Sequence, residues 1–406
     1  MLISLHRAPA EPTTVALVLA GGQGTRLHEL TAREAKPALW FAGRRRLVDF
    51  TMANLHRSGI GRVIVATQSR PATLSRHLMQ HWASVFADGG FRLAEGPLVT
   101  GRAEGYRGTA EVALANLPAI EAAGATEVLI VAGDLVQDMD YQPLIAAHRA
   151  SAAGVTILAH SGANAAGTRI EAGENGLVLA LGQSAAQPGQ GPVSSGVYVF
   201  DTRWLADALR QDAQDPASVH DIERSILPRA VAEAAAQVWQ GDMAEPPYWR
   251  DIDTLDAYRL AQLDFMSNPP CRLPALPGAF HPAAMTESSD LLQFGLRLVS
   301  GGIELRAPRW QADKPSRWAM LDGSVVLPGG RIAPGVRLTQ AIVGAGTVVP
   351  EGLVVGEDPD EDARWFRRTD QGTVLVTTQM LARRAADRPR PVSGIVRALT
   401  QRRAAL

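Results

Sequence analysis

The sequence predicts an α/β protein in two parts, a doubly wound domain followed by a short β-helix, and two periodicities carry that reading. Apolar runs at residues 15–20, 63–67 and 127–132 have the continuous hydrophobicity of strands buried on both faces. Residues 47–58, 70–82 and a stretch ending at Ala122 read as helices between and beside them, and such alternation argues for a parallel sheet with helices on both faces. Farther along, Met320, Val326, Ile332 and Leu338 recur at every sixth residue; after a one-residue slip, Val343, Val349 and Val355 continue the period. One apolar residue in six, with Gly and Pro between, is the pattern of a hexapeptide β-helix, each apolar position filling one flat face. Val299 and Leu305 have the spacing of an earlier coil.

Length supports the division, because 406 residues exceed one ordinary core. The boundaries are expected at 12–267 for the first domain, 268–287 for a linker with five prolines, 288–382 for the β-helix and 383–406 for a tail. A net charge of −1 provides no basic field to hold nucleic acid. The single cysteine, Cys271, excludes an internal disulfide. No apolar run has the length of a membrane span, and the first 14 residues lack the apolar core of a signal peptide. The sequence therefore predicts a cytoplasmic protein with neither membrane nor nucleic acid as partner.

The first strand ends in Gly21, Gly22 and Gly24, a turn that can bring backbone N–H groups close to an anion. Leu27 stands where a dinucleotide-binding loop would carry its third glycine, and no G-K-[ST] follows, so neither common phosphate motif is present. Arg26 follows the turn and Lys36-Pro37 comes ten residues later. Of the 40 basic residues only Lys36 and Lys314 are lysines, so a compact ammonium beside this loop departs from the habit of the chain. Strand, glycine turn, Arg and Lys together compose a cradle for a triphosphate. Asp134 follows the strand at 127–132 directly, on the edge where open α/β sheets bind ligands. Asp251 is a second carboxylate that could converge with it on Mg²⁺, a hard ion that takes oxygen ligands; each aspartate could equally cap a turn or a helix.

The loop Leu19-Ala20-Gly21-Gly22-Gln23-Gly24-Thr25-Arg26-Leu27 with its downstream Lys36-Pro37 resembles the signature of the sugar nucleotidyltransferases. Adding Tyr106-Arg107-Gly108-Thr109-Ala110, Gly133-Asp134, Ser195-Gly196-Val197-Tyr198, Tyr248-Trp249-Arg250-Asp251 and the tail segments 349–357, 361–364 and 374–377, the chain resembles bacterial ADP-glucose pyrophosphorylases over about residues 15–382. The resemblance implies a Rossmann-like nucleotidyltransferase domain and a left-handed β-helix. It implies transfer of an adenylyl group from ATP to a sugar 1-phosphate, glucose 1-phosphate foremost, giving an ADP-sugar and pyrophosphate for glycogen or α-glucan synthesis. Arg26, Lys36 and Asp134 would be catalytic, with Mg²⁺ on Asp134 and Asp251. Nucleotide contacts would come from Leu19, Ala20, Gly21, Gly22, Gly24, Thr25, Tyr106, Gly108 and Thr109, and sugar contacts from Ser195, Tyr198 and Arg169. Arg33 and Arg46 would serve an effector. The partner would be a homotetramer's other subunits or an active paralogue in a hetero-oligomer.

The chain also departs from that family. Residues 182–192 contain no lysine where the family's sugar-phosphate lysine is expected, and residues 166–170 replace its Phe-Gly-Val element. Leu135 replaces a histidine, Gly105 a tryptophan, Glu34 a basic residue and Asp253 a glycine. Three readings follow: an active adenylyltransferase, a regulatory paralogue that binds nucleotide and modulates an active partner subunit, or an interaction protein that keeps the fold alone, against which the retention of Asp134, Asp251, Arg26 and Lys36 argues.

Overall fold

The computed structural model places the first apolar run at the heart of a nine-stranded mixed sheet, as the strand Thr14–Ala20. Described are residues 13–387 other than 69, 87–88, 161–166, 184–190, 242–247, 268, 278–295, 300–301 and 306–318. Thr14–Ala20 pairs in parallel with Arg62–Thr67 on one side and Glu127–Ala132 on the other, and Phe91–Glu95 joins in parallel beyond Arg62–Thr67. Alternate residues feed two separate cores. Val15, Leu17, Ile64, Val128 and Ile130 pack on one face, while Ala16, Val18, Val63, Val65, Leu129 and Val131 pack on the other. Burial on both faces is the reason these strands lack a polar alternation. The helices Leu47–Arg57, Pro71–His81 and Thr109–Ala122 lie where the periodicity put them.

The other half of the sheet is not parallel throughout. Val193–Asp201 runs antiparallel between Glu127–Ala132 and Val155–His160, and Ala236–Trp239 adds in parallel to the latter. Thr168–Ala172 and Val178–Gln183 form an antiparallel pair at the far edge. Reversal of the long strand brings its first residues to the same edge as the ends of the parallel strands. Gly21, Gln68, Gly133, His160 and Ser194 therefore gather along one edge of the sheet.

The chain divides into two compact units, Met1–Glu287 and Ser288–Leu406. In the second, short strands stack in parallel with Leu321 on Leu338 on Val355, Val326 on Val343 on Val376, and Ile332 on Val349. Leu338, Val343, Val349 and Val355 are buried, as the six-residue period requires. Met320 breaks the expected pattern: it is 49% exposed and Leu321 fills the core position, because the shortened step between Leu338 and Val343 already occurs one coil earlier, between Leu321 and Val326. Val299 and Leu305 belong to no earlier coil. The strands Leu296–Val299 and Gly302–Leu305 form an antiparallel hairpin whose second strand pairs antiparallel with Met320–Asp322. Within the expected linker, residues 269–277 are held by the first unit, where Arg45 Nε donates to the Pro274 carbonyl at 2.6 Å and the Arg272 N–H donates to Asp138 at 3.2 Å. The helix Thr378–Asp387 runs across the expected start of the tail. Among the described residues no helix is long and apolar enough to cross a membrane.

Leu338 is 1% exposed and stacked between Leu321 and Val355. Leu338→Ala should lower stability by about 2–5 kcal/mol in denaturant unfolding. Met320→Ala should stay within about 0.5 kcal/mol. Equal losses for the two would overturn the one-residue phase difference.

Candidate active site

The glycine turn is fixed from behind. Gly24 has φ of +60°, and a Cβ there would lie 2.9 Å from Thr31 Cγ2 and 3.0 Å from Lys36 Cβ. Thr31 Oγ1 donates to the Gly24 carbonyl at 2.8 Å, so the loop is tied to the segment that carries the lysine. Gly22, by contrast, has open space around its Cα and is exposed. Leu19 and Ala20 end the strand, with Leu19 O accepting from the Gly133 N–H at 2.9 Å. Thr25 and Arg26 open the short 3₁₀ segment Thr25–Thr31 and are exposed.

Gly133 pins the first carboxylate. A Cβ on it would stand 3.2 Å from Ala20 Cβ, tight enough that the first strand would have to give by a few tenths of an ångström, and Asp134 follows at once. Lys36 Nζ lies 2.8 Å from Asp134 Oδ2, with only 6% of the lysine side chain exposed. The same ammonium is also ion-paired with Asp253, and Asp253 pairs in turn with Arg26. Sequence reasoning selected Asp251, whose strand Trp249–Asp251 pairs antiparallel with Leu135–Gln137 so that the Asp251 backbone lies opposite Leu135. Two residues later, Asp253 meets Lys36 and Arg26. The helix Leu255–Ser267 delivers it: Tyr258 and Gln262 both donate to the Trp40 carbonyl, and Gln262 Oε1 accepts from the Ala42 N–H at 3.0 Å, clamping the helix to the segment just after Lys36. No local signal in the sequence marks a contact across 217 residues.

The Tyr106–Thr109 segment is tied to Gln68, the residue that also lies against Gly21. Tyr106 is 5% exposed, and its backbone N–H and C=O are both satisfied by the Gln68 side chain at 3.1 and 2.9 Å. Burial raises its phenol pKa. Gly108 is forced by the fold, since a Cβ would come 2.2 Å from the His220 carbonyl oxygen. The Thr109 hydroxyl donates to Asp221 at 2.9 Å and accepts from the Ile222 N–H at 2.8 Å. Gln68 and Asp221 are therefore partners that sequence reasoning missed. Beside them, Glu111 accepts from Arg102 Nη2 and from the Arg107 N–H, both at 2.6 Å.

On the sugar side, the Ser195 hydroxyl is turned to the backbone and donates to the Leu158 carbonyl at 2.9 Å. Its neighbour Ser194 lies 3.0 Å from the Tyr198 hydroxyl, and Tyr198 donates to Glu223. Thr168 Oγ1 donates to the other oxygen of Glu223 at 2.9 Å. Burial, with the charge of Glu223, raises the Tyr198 pKa well above its ordinary value. Arg169 pairs through its backbone with Val193 at the start of the same strand. His160 ends its own strand with its ring 3.9 Å from that of Trp249. Both ring nitrogens of His160 and the Trp249 indole nitrogen are buried without a partner among the described residues, and burial holds His160 neutral by pushing its pKa down to about 4. The neutral span expected at the sugar phosphate falls mainly on residues 184–190, outside the described residues.

The two arginines expected at an effector site separate. Arg33 is exposed, but Arg46 is 7% exposed and built into the fold. Its guanidinium donates to the Ala38 carbonyl, pairs with Glu34 at 3.1 Å and lies 3.9 Å over the Trp40 ring, which leaves it unsuited to an external anion.

With this geometry in view, comparison with known proteins identifies two families within the chain. A nucleotidyl transferase family matches residues 15–268, and a family described as GlmU-like, C-terminal hexapeptide matches residues 312–376. The glucose-1-phosphate adenylyltransferase of Rhizobium etli is 34% identical, with 92% of this chain and 97% of that protein covered. Those of an Enterobacter species and of Bradyrhizobium diazoefficiens are also 34% identical, covering 91% and 92% of this chain and 94% and 98% of theirs.

Glu111 yields a pH prediction. Burial works against its charge, but the hydrogen bonds from Arg102 and Arg107 win and hold its pKa near about 2, below the ordinary 4.5. A lowered carboxyl adds stability above pH 4.5 that is lost as the pH falls toward about 2. Glu111→Gln should therefore melt below the parent near pH 6, and the gap should close between about pH 4.5 and 2. A gap that stays constant with pH would overturn this account.

Proposed function

The chain belongs to the glucose-1-phosphate adenylyltransferases within the nucleotidyl transferases, and from that premise we propose that it makes ADP-glucose and pyrophosphate from ATP and glucose 1-phosphate. The observation that carries the reading for this chain is the buried Lys36 ammonium, paired with Asp134 and linked by backbone packing to a glycine turn. In the reaction an oxygen of the sugar phosphate attacks the α-phosphorus of ATP, the bond to the β-phosphate oxygen breaks, and pyrophosphate carries away the electron pair. Positioning and charge neutralisation do most of such chemistry. Backbone N–H groups of Gly21, Gly22 and Gly24, with Arg26, would hold the departing phosphates. Lys36 would neutralise charge at the reacting phosphate. Gln68 and Thr109 act one step back, holding the Tyr106–Thr109 segment beside the loop.

The donor set suits Mg²⁺. Asp134 presents a hard carboxylate at the sheet edge, and the backbone of Asp251 lies across from its neighbour Leu135. Mg²⁺ takes one or two carboxylates and completes its shell with water and phosphate oxygens. Asp134 with Asp251 would hold it, and when bound it would supply further neutralisation of the phosphates.

Pyrophosphate release from ATP and glucose 1-phosphate is the direct test. Asp134→Asn and Lys36→Gln should each lower kcat/KM by about a hundredfold or more, with folding retained by circular dichroism. Full turnover in either variant would remove that residue from the chemistry. Absence of turnover in the parent with retained ATP binding would move the proposal to the regulatory reading.

A further inference from the structure

We propose that Asp253 is an internal counter-anion of the phosphate site, which an incoming polyphosphate must displace before Arg26 is free to bind it; the proposal rests on the nucleotide reading above. Four charged groups form one chain of contacts: Arg26 with Asp253, Asp253 with Lys36, and Lys36 with Asp134. Two cations face two carboxylates, so this group of four has no net charge before a ligand arrives. Without Asp253 it would carry one positive charge. The carboxylate thus occupies the very groups that a triphosphate would use.

The two arms of Asp253 differ in a way that decides which one opens. The Arg26 side chain is 66% exposed and that of Asp253 is 30% exposed, so their pair stands in water and is held weakly. Lys36 is 6% exposed and also keeps Asp134. A buried ammonium loses much if it is left unpaired, so it holds its carboxylates. Arg26 is therefore the arm that swings from carboxylate to phosphate, while Asp253 remains on Lys36. The exchange lowers the affinity for ATP, and it favours departure of pyrophosphate, because Arg26 regains a partner as the product leaves. Asp253 acts here as a positioning residue for Arg26, not as a group that touches the reacting atoms.

Equilibrium binding of ATP and of inorganic tripolyphosphate, measured calorimetrically in EDTA so that no turnover occurs, tests the idea on the full chain. Asp253→Asn and Asp253→Ser should each bind both ligands about fivefold or more tightly than the parent. Simple removal of a nearby negative charge would do something similar, so a double-mutant cycle with Arg26→Gln supplies the distinction. In the parent, Arg26→Gln should cost little, because Arg26 is already engaged; in the Asp253→Asn background it should cost about fivefold or more. Additive effects, or affinity unchanged or reduced in both Asp253 variants while ATP still binds, would overturn the proposal and leave the nucleotide reading standing. Failure of every folded variant and the parent to bind ATP would overturn both. If Asp253→Asn fails to fold, Asp253→Ser carries the same comparison.

Discussion

A lysine ammonium buried to 6% exposure cannot stand without anions around it, and the first unit is arranged to bring two of them to Lys36. Asp134 arrives because Gly133 lets the end of a central strand touch the first strand. Asp253 arrives because the helix that follows it is clamped to Trp40 and Ala42, a few residues beyond the lysine. The glycine turn is held in the same cluster, since Gly24 packs directly on Lys36. Each of these contacts comes from a different stretch of chain, and each is needed for the others. An unpaired partner in such a cluster would cost several kcal/mol, far more than any exposed ion pair contributes.

The sequence made visible what depends on neighbours along the chain. Continuous apolar runs gave the central strands within a residue or two, because burial on both faces leaves no room for polar alternation. Gly24 and Gly133 could be picked out because backbone turns and close approach select glycine strongly. Asp253 stayed hidden for the opposite reason: its role comes from helix docking across more than two hundred residues. The serines show a subtler limit. Ser195, the candidate, turns to the Leu158 carbonyl, while its neighbour Ser194 meets Tyr198, because successive strand residues face opposite sides. Arg46, expected at an effector site, is a buried brace for the segment that holds Lys36.

The β-helix repeats the lesson. Its six-residue period is local and strong, so the stacked faces were legible. The slip after Leu338 has a structural meaning that spacing alone does not give: partners in successive coils are Val326 with Val343, Ile332 with Val349 and Leu338 with Val355, so every coil crosses the shortened turn once and stays in register. Met320 falls out of phase because the same shortened step lies between Leu321 and Val326, so counting back by sixes from Val326 misses the core position by one residue.

These arguments bear on why a chain so committed to arginine keeps a lysine at position 36. The guanidinium is a planar fork suited to one carboxylate or phosphate met edge-on, whereas the ammonium is compact and directs three donors around a point. At Lys36 the acceptors belong to two different carboxylates delivered by two different elements, and the stem must pass against the Cα of Gly24. A point charge satisfies that geometry and a flat fork does not. Arg26 faces the reverse situation: it is exposed and pairs with Asp253. On the proposed function, this difference in burial and side-chain shape would give the site one fixed positive centre for the reacting phosphate and one movable one for the phosphates that leave.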